Sequence, residues 1–443
     1  MPSSHPLRWA TLGLILSVLP VGAGNLSPLA PTPDWPALES YQRTITRQEF
    51  ARLVDHVYSI DGAFWNYAAI DDKRMVVFSD TAKTHPLFTL RFAASDSTCA
   101  PLPYHYQTQA TSHDPARPLK GIRIALDPGH IGGDWAQLEA RYFKLGDDPP
   151  VEEAKLNMIT CERLAERLRA DGAEIVWTKH DYEPVTHLRP ADLHREAIAA
   201  LGSYGGARAS EDTPIYRFGI PIPRFPRRDE LTATEWRIDN EAALLFYRVA
   251  EIRARADVVN KLHPDLTICV HYNADDWGDD PEHHPILTEH SRLIIFVNGA
   301  YERKAELPYD DCKYDLLRKL LDRTAVQEEL GCALVGQAML DTLKYPPEVY
   351  NHIPSDRDSA FVHHVTNVPS VYARDLLANR IYHGPVIYCE GPYMNARDAY
   401  YRIIAGDYLG LRAIQGQSVP SIYRDYAAAV ERGVLKYFCS GGL

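Results

Sequence analysis

Three stretches of the chain put metal-type ligands just past apolar runs. "RIALDPGHIGG", from Arg123, leads a strand-like run into Asp127, Pro128, Gly129 and His130. "LTICVHYNAD", from Leu266, reaches His271, and "GPVIYCEGPYMN", from Gly384, reaches Glu390. A fourth carboxylate, Glu152 or Glu153, opens the helical stretch after the first loop. Two imidazoles and one carboxylate, with a fourth position left to water, form the donor set of a catalytic zinc hydrolase. A further carboxylate outside that set can serve as general base. Singly, these residues say little. The chain has 18 His, and Glu152 or Glu153 would suit any helix start through the helix dipole. Glu390 says more, because a carboxylate behind an apolar strand is costly to bury without a partner. The set gains weight only if one sheet edge gathers it.

The elements around these residues predict such an edge. Strand 122–126 is followed by a helix over roughly 152–170, with Cys161, Leu164, Ala165 and Leu168 on one face and Asp171-Gly172 at its end. "AEIVWTK" is the next strand, and the Pro/Gly/Arg-rich stretch 183–232 reads as an insertion. A helix over roughly 238–262 precedes the Leu266 strand, and "RLIIFVNG" is another strand. An excursion over 300–368 holds at least one helix and is expected to wall the site. "SVYARDL" and "PVIYCE" are further strands, followed by helices near 395–405 and 419–437. The alternation predicts an α/β fold, a largely parallel sheet flanked by helices with long insertions. In such sheets ligands gather beyond the carboxyl ends of strands. Ahead of it, residues 41–95 predict a small α+β unit. Its helix is capped by Thr46, two strands meet at Asp71-Asp72, and "LFTLRFA" is a third. Residues 24–40 read as a linker, 95–119 as a boundary, and 119–440 as the catalytic domain.

The formal net charge of -12 argues against nucleic acid as partner, since no basic excess exists to displace counterions. It also gives no general attraction to an anionic surface, so an anionic substrate needs a local site. Residues 1–23 read as a signal peptide: Arg8, the apolar "WATLGLILSVLPVGA", and a small-residue cleavage site at Val21-Gly22-Ala23. The expected location is periplasmic or extracellular, with no membrane span after signal removal. Of seven cysteines, Cys161, Cys269 and Cys389 fall in apolar patterns, while Cys99, Cys312, Cys332 and Cys439 are open to pairing. The pairs His283-His284 and His363-His364 fall in the insertions and read as surface.

In order, "RIALDPGHIGG", "VEEAKLNMITCERLAERLRADGAEIVWTK", "RVAEIRARADVVNKLHPDLTICVHYNAD" and "GPVIYCEGPYMNARDAY" resemble four blocks of the zinc-dependent N-acetylmuramoyl-L-alanine amidases, bacterial cell-wall hydrolases with an α/β fold. "SIYRDYAAAVERGVLKYF" resembles their terminal helix. The resemblance implies Zn2+ on His130, Glu153 and His271, with Glu152 competing for the second place and Glu390 as catalytic base. It implies peptidoglycan or its fragments as substrate. Asp127, Asn273 and Arg374 are expected near the site. Asp127 would orient His130 or shape its turn, and Arg374 would hold a substrate or form an ordinary ion pair. The two enlarged passages, and Gly391-Pro392-Tyr393 after the glutamate, depart from the family pattern. Two other readings stay open: a catalytically silent wall-binding protein, and a zinc peptidase cutting within the stem peptide.

Overall fold

The computed structural model describes residues 24–59, 61–203, 216–217, 220–221, 233–275, 287–302, 305–349 and 362–439. The signal-peptide expectation and the His283-His284 pair lie outside them. The N-terminal unit begins with α1 (Arg47–Leu53), where the Thr46 hydroxyl accepts from Glu49 N–H as an N-cap should. It continues into an antiparallel sheet of β1 (Ala68–Ile70), β2 (Arg74–Phe78) and β3 (Pro86–Arg91).

The main sheet has seven strands: β4 (Arg123–Pro128), β5 (Glu174–Trp177), β6 (Leu266–Tyr272), β7 (Ile294–Val297), β8 (His363–His364), β9 (Val371–Ala373) and β10 (Val386–Gly391). Their order is β8-β9-β7-β10-β6-β4-β5. Strands β10, β6, β4 and β5 run parallel. Strands β7 and β9 are parallel to each other, but β7 pairs antiparallel with β10. The carboxyl ends of β4, β6 and β10 therefore share one edge, and those of β7 and β9 point to the opposite edge.

The helices that matter for the site are α2 (Glu153–Ala170), α3 (His194–Ser203), α4 (Ala233–Leu245), α5 (Glu251–Leu262), α6 (Asp310–Leu321), α7 (Thr324–Leu343), α8 (Leu377–Ile381) and α9 (Ile422–Cys439). Period-two alternation divides β6. Ile268, Val270 and Tyr272 enter the large core with Leu164 of α2, Val335 of α7 and Val430 of α9, whereas Cys269 joins Val259 of α5 and Ile381 of α8 on the other face. The same large core runs on through Phe50 and Leu90 of the N-terminal unit. That unit is tied to the main sheet at Ala300 and Tyr301, whose N–H groups donate to Val57 and Tyr58.

Two expectations are corrected. Residues 24–40 do not form a free linker: Asn25 O accepts from Asp310 N–H, Ser27 donates to Asp311, and Trp35 packs edge-on against Tyr314 of α6. Within 300–368, helix α7 is scaffold rather than a wall around the site, whereas Pro346 and Pro347 run beside Leu293, next to the Ile294 that pairs with Glu390. Helix α7 covers the sheet so closely that a Cβ on Gly331 would meet Ile387 at 3.0 Å. All seven cysteines are free, and Cys312 and Cys332 are buried as small apolar groups. His363 and His364 form edge strand β8, half-buried and exposed, with His363 Nε2 2.8 Å from His56 O. Among the described residues no helix is long and apolar enough to cross a membrane.

Candidate active site

The turn after β4 is built around His271. A Cβ on Gly129 would stand 2.2 Å from His271 Cε1, so only glycine lets the imidazole sit there. The next residue, His130, adopts φ 61°, the left-handed region that costs a non-glycine residue energy unless its surroundings impose it. Here they do. Arg255 donates to Pro128 O (3.0 Å) and His130 O (2.9 Å), the Lys179 amine also donates to His130 O, and Asn157 donates to Gly129 O (3.1 Å). Asp127 lies beneath the turn. It accepts from Thr178 (2.6 Å), Tyr382 (2.8 Å) and Arg255 (3.1 Å), and Arg255 is in turn paired with Glu251 (2.7 Å). Asp127 therefore holds the backbone of the turn through Arg255. The His130 ring is held instead by Glu139, whose Oε2 lies 3.2 Å from His130 Nδ1.

Glu153, the first residue of α2, brings its carboxylate between the two rings. Oε2 is 3.2 Å from His130 Nε2 and Oε1 is 3.2 Å from His271 Nδ1. One ligand atom from each of His130, Glu153 and His271 lies within 4.8 Å of the others, a group that could hold a metal ion. Glu152 is turned away, paired with Lys155 at 2.7 Å and accepting from Gly133 N–H. Arg141 closes another side, with Nε 3.2 Å from Glu153 Oε2 and 3.4 Å from His130 Nε2.

Burial opposes charge on His130, but Glu153 and Glu139 outweigh it and raise the imidazolium to about 9. Burial likewise disfavours charge on Glu153, yet His130, His271 and Arg141 hold it far below the usual carboxylate range. Burial lowers His271. Glu390 stands beside His271 in the parallel β6–β10 register, and Tyr388, two residues before it, stacks on the His271 ring with centroids 4.6 Å apart. Burial first, and the Glu153 charge second, raise Glu390 to about 8.

Asn273 binds the neighbouring loop: its carbonyl accepts from Met394 N–H at 2.7 Å, and its side chain accepts from Ala274 N–H. Arg374 follows β9, which is separated from the glutamate strand by β7. Its guanidinium lies 5.2 Å from the Phe296 ring centroid, and its charge still reaches Glu390 and lowers its pKa. Arg374 is thus not on a strand next to that of Glu390. Glu139, Arg141, Arg255 and Lys179 escaped the sequence reading. Arg255 carries a faint signal, since it lies four residues after Glu251, but such a pair usually marks a solvated helix face. Of the insertion 183–232, α3 packs against α4, with Ala197 and Leu193 in one cluster with Ile131 and Phe246, directly beside the His130 turn.

No family model and no curated protein matches the chain. Several solved structures are similar to it. The N-acetylmuramyl-L-alanine amidase Ami1 of Mycobacterium smegmatis is 12% identical over 72% of this chain and 97% of its own, with a TM-score of 0.36. An N-acetylmuramoyl-L-alanine amidase of Clostridium difficile 630 is 13% identical over 73% of this chain and 100% of its own (TM-score 0.35). The CwlD amidase of Clostridioides difficile, solved in complex with the GerS lipoprotein, is 11% identical over 72% and 98% (TM-score 0.34).

Proposed function

We propose that this chain is an exported, zinc-dependent N-acetylmuramoyl-L-alanine amidase that hydrolyses the amide between N-acetylmuramic acid and L-alanine in peptidoglycan or its fragments. The observation that carries the reading is the convergence of His130, Glu153 and His271 at one sheet edge, with Glu390 on the adjacent strand beside His271. Two imidazoles and a carboxylate, with Glu139 behind His130 and Arg141 beside Glu153, suit zinc. The metal supplies Lewis-acid activation of a water molecule and of the amide carbonyl.

The remaining work falls to the chain. Glu139 fixes the His130 ring so that Nε2 faces the centre, and Arg255, Lys179 and Asn157 keep the turn in its strained form. Glu390 accepts the proton of the attacking water at its carboxylate and returns it to the departing amine. Its affinity for a proton derives partly from Glu153. The sequence blocks quoted above point to the muramyl amide as the bond cut.

Digestion of purified peptidoglycan with the metal-loaded protein tests the reading. Free L-alanine amino termini and intact glycan lactyl groups, identified by mass spectrometry, are expected, and chelation should abolish them. New amino termini within the stem peptide would make it a peptidase. Binding to the wall with no new termini would make it a silent binder.

A further inference from the structure

The strap at the start of the described chain ends against a buried carboxylate. Asp310 and Asp311, at the head of α6, are 2% and 4% exposed. Asp310 Oδ1 is 3.0 Å from Lys313 Nζ, while Oδ2 accepts from Ser79 of the N-terminal unit at 3.0 Å. Asp311 is bound by Ser27 through N–H (2.8 Å) and hydroxyl (2.6 Å), with Arg253 only at 3.9 Å. Of these two buried carboxylates only Asp310 has a cation at close range, and Asp311 has Arg253 at the limit of an ion pair, a costly arrangement. Gly24 lies against Asp310. A Cβ there would stand 2.8 Å from Asp310 Oδ2. The Gly24 nitrogen is bonded to the same Cα, so it is within ~5 Å of that oxygen. The preceding residues, Val21-Gly22-Ala23, are the small-residue site after which a leader would be cut.

We propose that the Ala23–Gly24 peptide bond is the processing site and that the α-ammonium of Gly24 docks on the Asp310 carboxylate, locking the strap onto α6. Hydrolysis of that bond adds water across it, leaving a carboxylate on Ala23 and an amine on Gly24. The amine is protonated at neutral pH. It becomes the second cation for the Asp310–Asp311 pair, at the point where the strap, the N-terminal unit and α6 meet. An unprocessed chain has an uncharged amide there. Gly24 is also the residue type the site needs, because a side chain would collide with Asp310. The inference does not depend on the zinc chemistry.

The intact mass of the exported protein should correspond to a chain starting at Gly24; any other start overturns the proposal. The Gly24-initiated protein should melt at least about 2 °C above one retaining Gly22-Ala23. Acetylating the Gly24 amine, or Gly24→Ala, should reproduce the loss. In an Asp310→Asn background, the extension should cost nothing further. An equal cost in both backgrounds, or no cost in either, removes Asp310 as the dock. If Asp310→Asn does not fold, the acetylated chain decides: melting like the free amine overturns the lock.

Discussion

Two clusters of buried charge sit at opposite edges of the same sheet, and they are built for different ends. At the edge shared by β4, β6 and β10, Glu153 lies between two imidazoles, with Glu390 nearby. At the other edge, beyond β7 and β9, Asp375 is paired with Arg380 at 2.5 Å, and Asp315 lies 3.7 Å from Arg380 and 4.0 Å from Arg318, with Glu306 close by. Arg318 also donates to Arg380 O at 2.7 Å. In the second cluster the cations are guanidiniums, which never deprotonate and cannot be exchanged for a metal. In the first, beside the Arg141 guanidinium, Glu153 faces two imidazoles, groups that can ligate a metal when neutral. The two clusters therefore differ in the kind of group that balances their carboxylates, imidazoles in one and guanidiniums alone in the other.

The largest expected effect separates the clusters by activity. Glu390→Gln keeps the side-chain shape but cannot take a proton, so turnover should fall on the order of a hundred- to ten-thousand-fold with zinc content unchanged. Loss of zinc would make Glu390 a ligand, and parental turnover would remove it from the chemistry. The second cluster should answer in stability instead. Arg380→Met leaves Asp375 and Asp315 buried without their main cation, at a cost of about 3–5 kcal/mol. Urea unfolding reads that loss while zinc content stays parental. A variant that also lost zinc would show that the two edges are coupled.

The pH response sharpens the contrast. Burial, and then Asp375, raise Glu306 from 4.5 to about 8. The folded chain thus keeps a proton that the unfolded chain has released. The stability this contributes is complete below about pH 4.5 and is lost as pH climbs to about 8, a change on the order of a few kcal/mol. Glu306→Gln carries no titrating group and should flatten the stability profile across that window. If parent and variant profiles run parallel, the Glu306 proton is not held in the folded state.

The meeting of the candidate site residues at one sheet edge was legible in the sequence because they follow strands whose period is plain. His130, His271 and Glu390 each stand at the end of an apolar run, and Glu153 opens a helix with a clear face. Helix α7 was misread as part of a peripheral excursion because it is buried against the sheet on one side and α9 on another, and so lacks a polar stripe. The strap 24–40 was misread because prolines resemble a linker whether or not the chain docks. The groups behind the ligands stayed hidden for another reason. Glu139 caps a single helical turn, Trp135–Leu138, too short for a period to say which way a side chain turns, and the contacts of Arg141 and Lys179 depend on the same fold-back.

Glu139 gives the smallest effect and the sharpest test of that hidden layer. It is 5% exposed, accepts from Ile131 N–H at 2.9 Å and holds His130 Nδ1 at 3.2 Å. Burial opposes its charge, but His130 and the Ile131 amide keep its pKa low, so it meets the ring as a carboxylate. A carboxylate behind a ligating imidazole fixes the ring and makes its other nitrogen a better donor. Glu139→Gln keeps an acceptor oxygen for both partners and removes the charge. Zinc affinity, measured against a competing chelator, should weaken about ten- to a hundred-fold. Turnover at saturating zinc should change far less than in Glu390→Gln, and the melting profile of the metal-free protein should stay near the parent's. Unchanged zinc affinity would mean that the Glu139 charge does not support the ring, and the Arg255–Lys179 hold on the turn would then be sufficient to set His130.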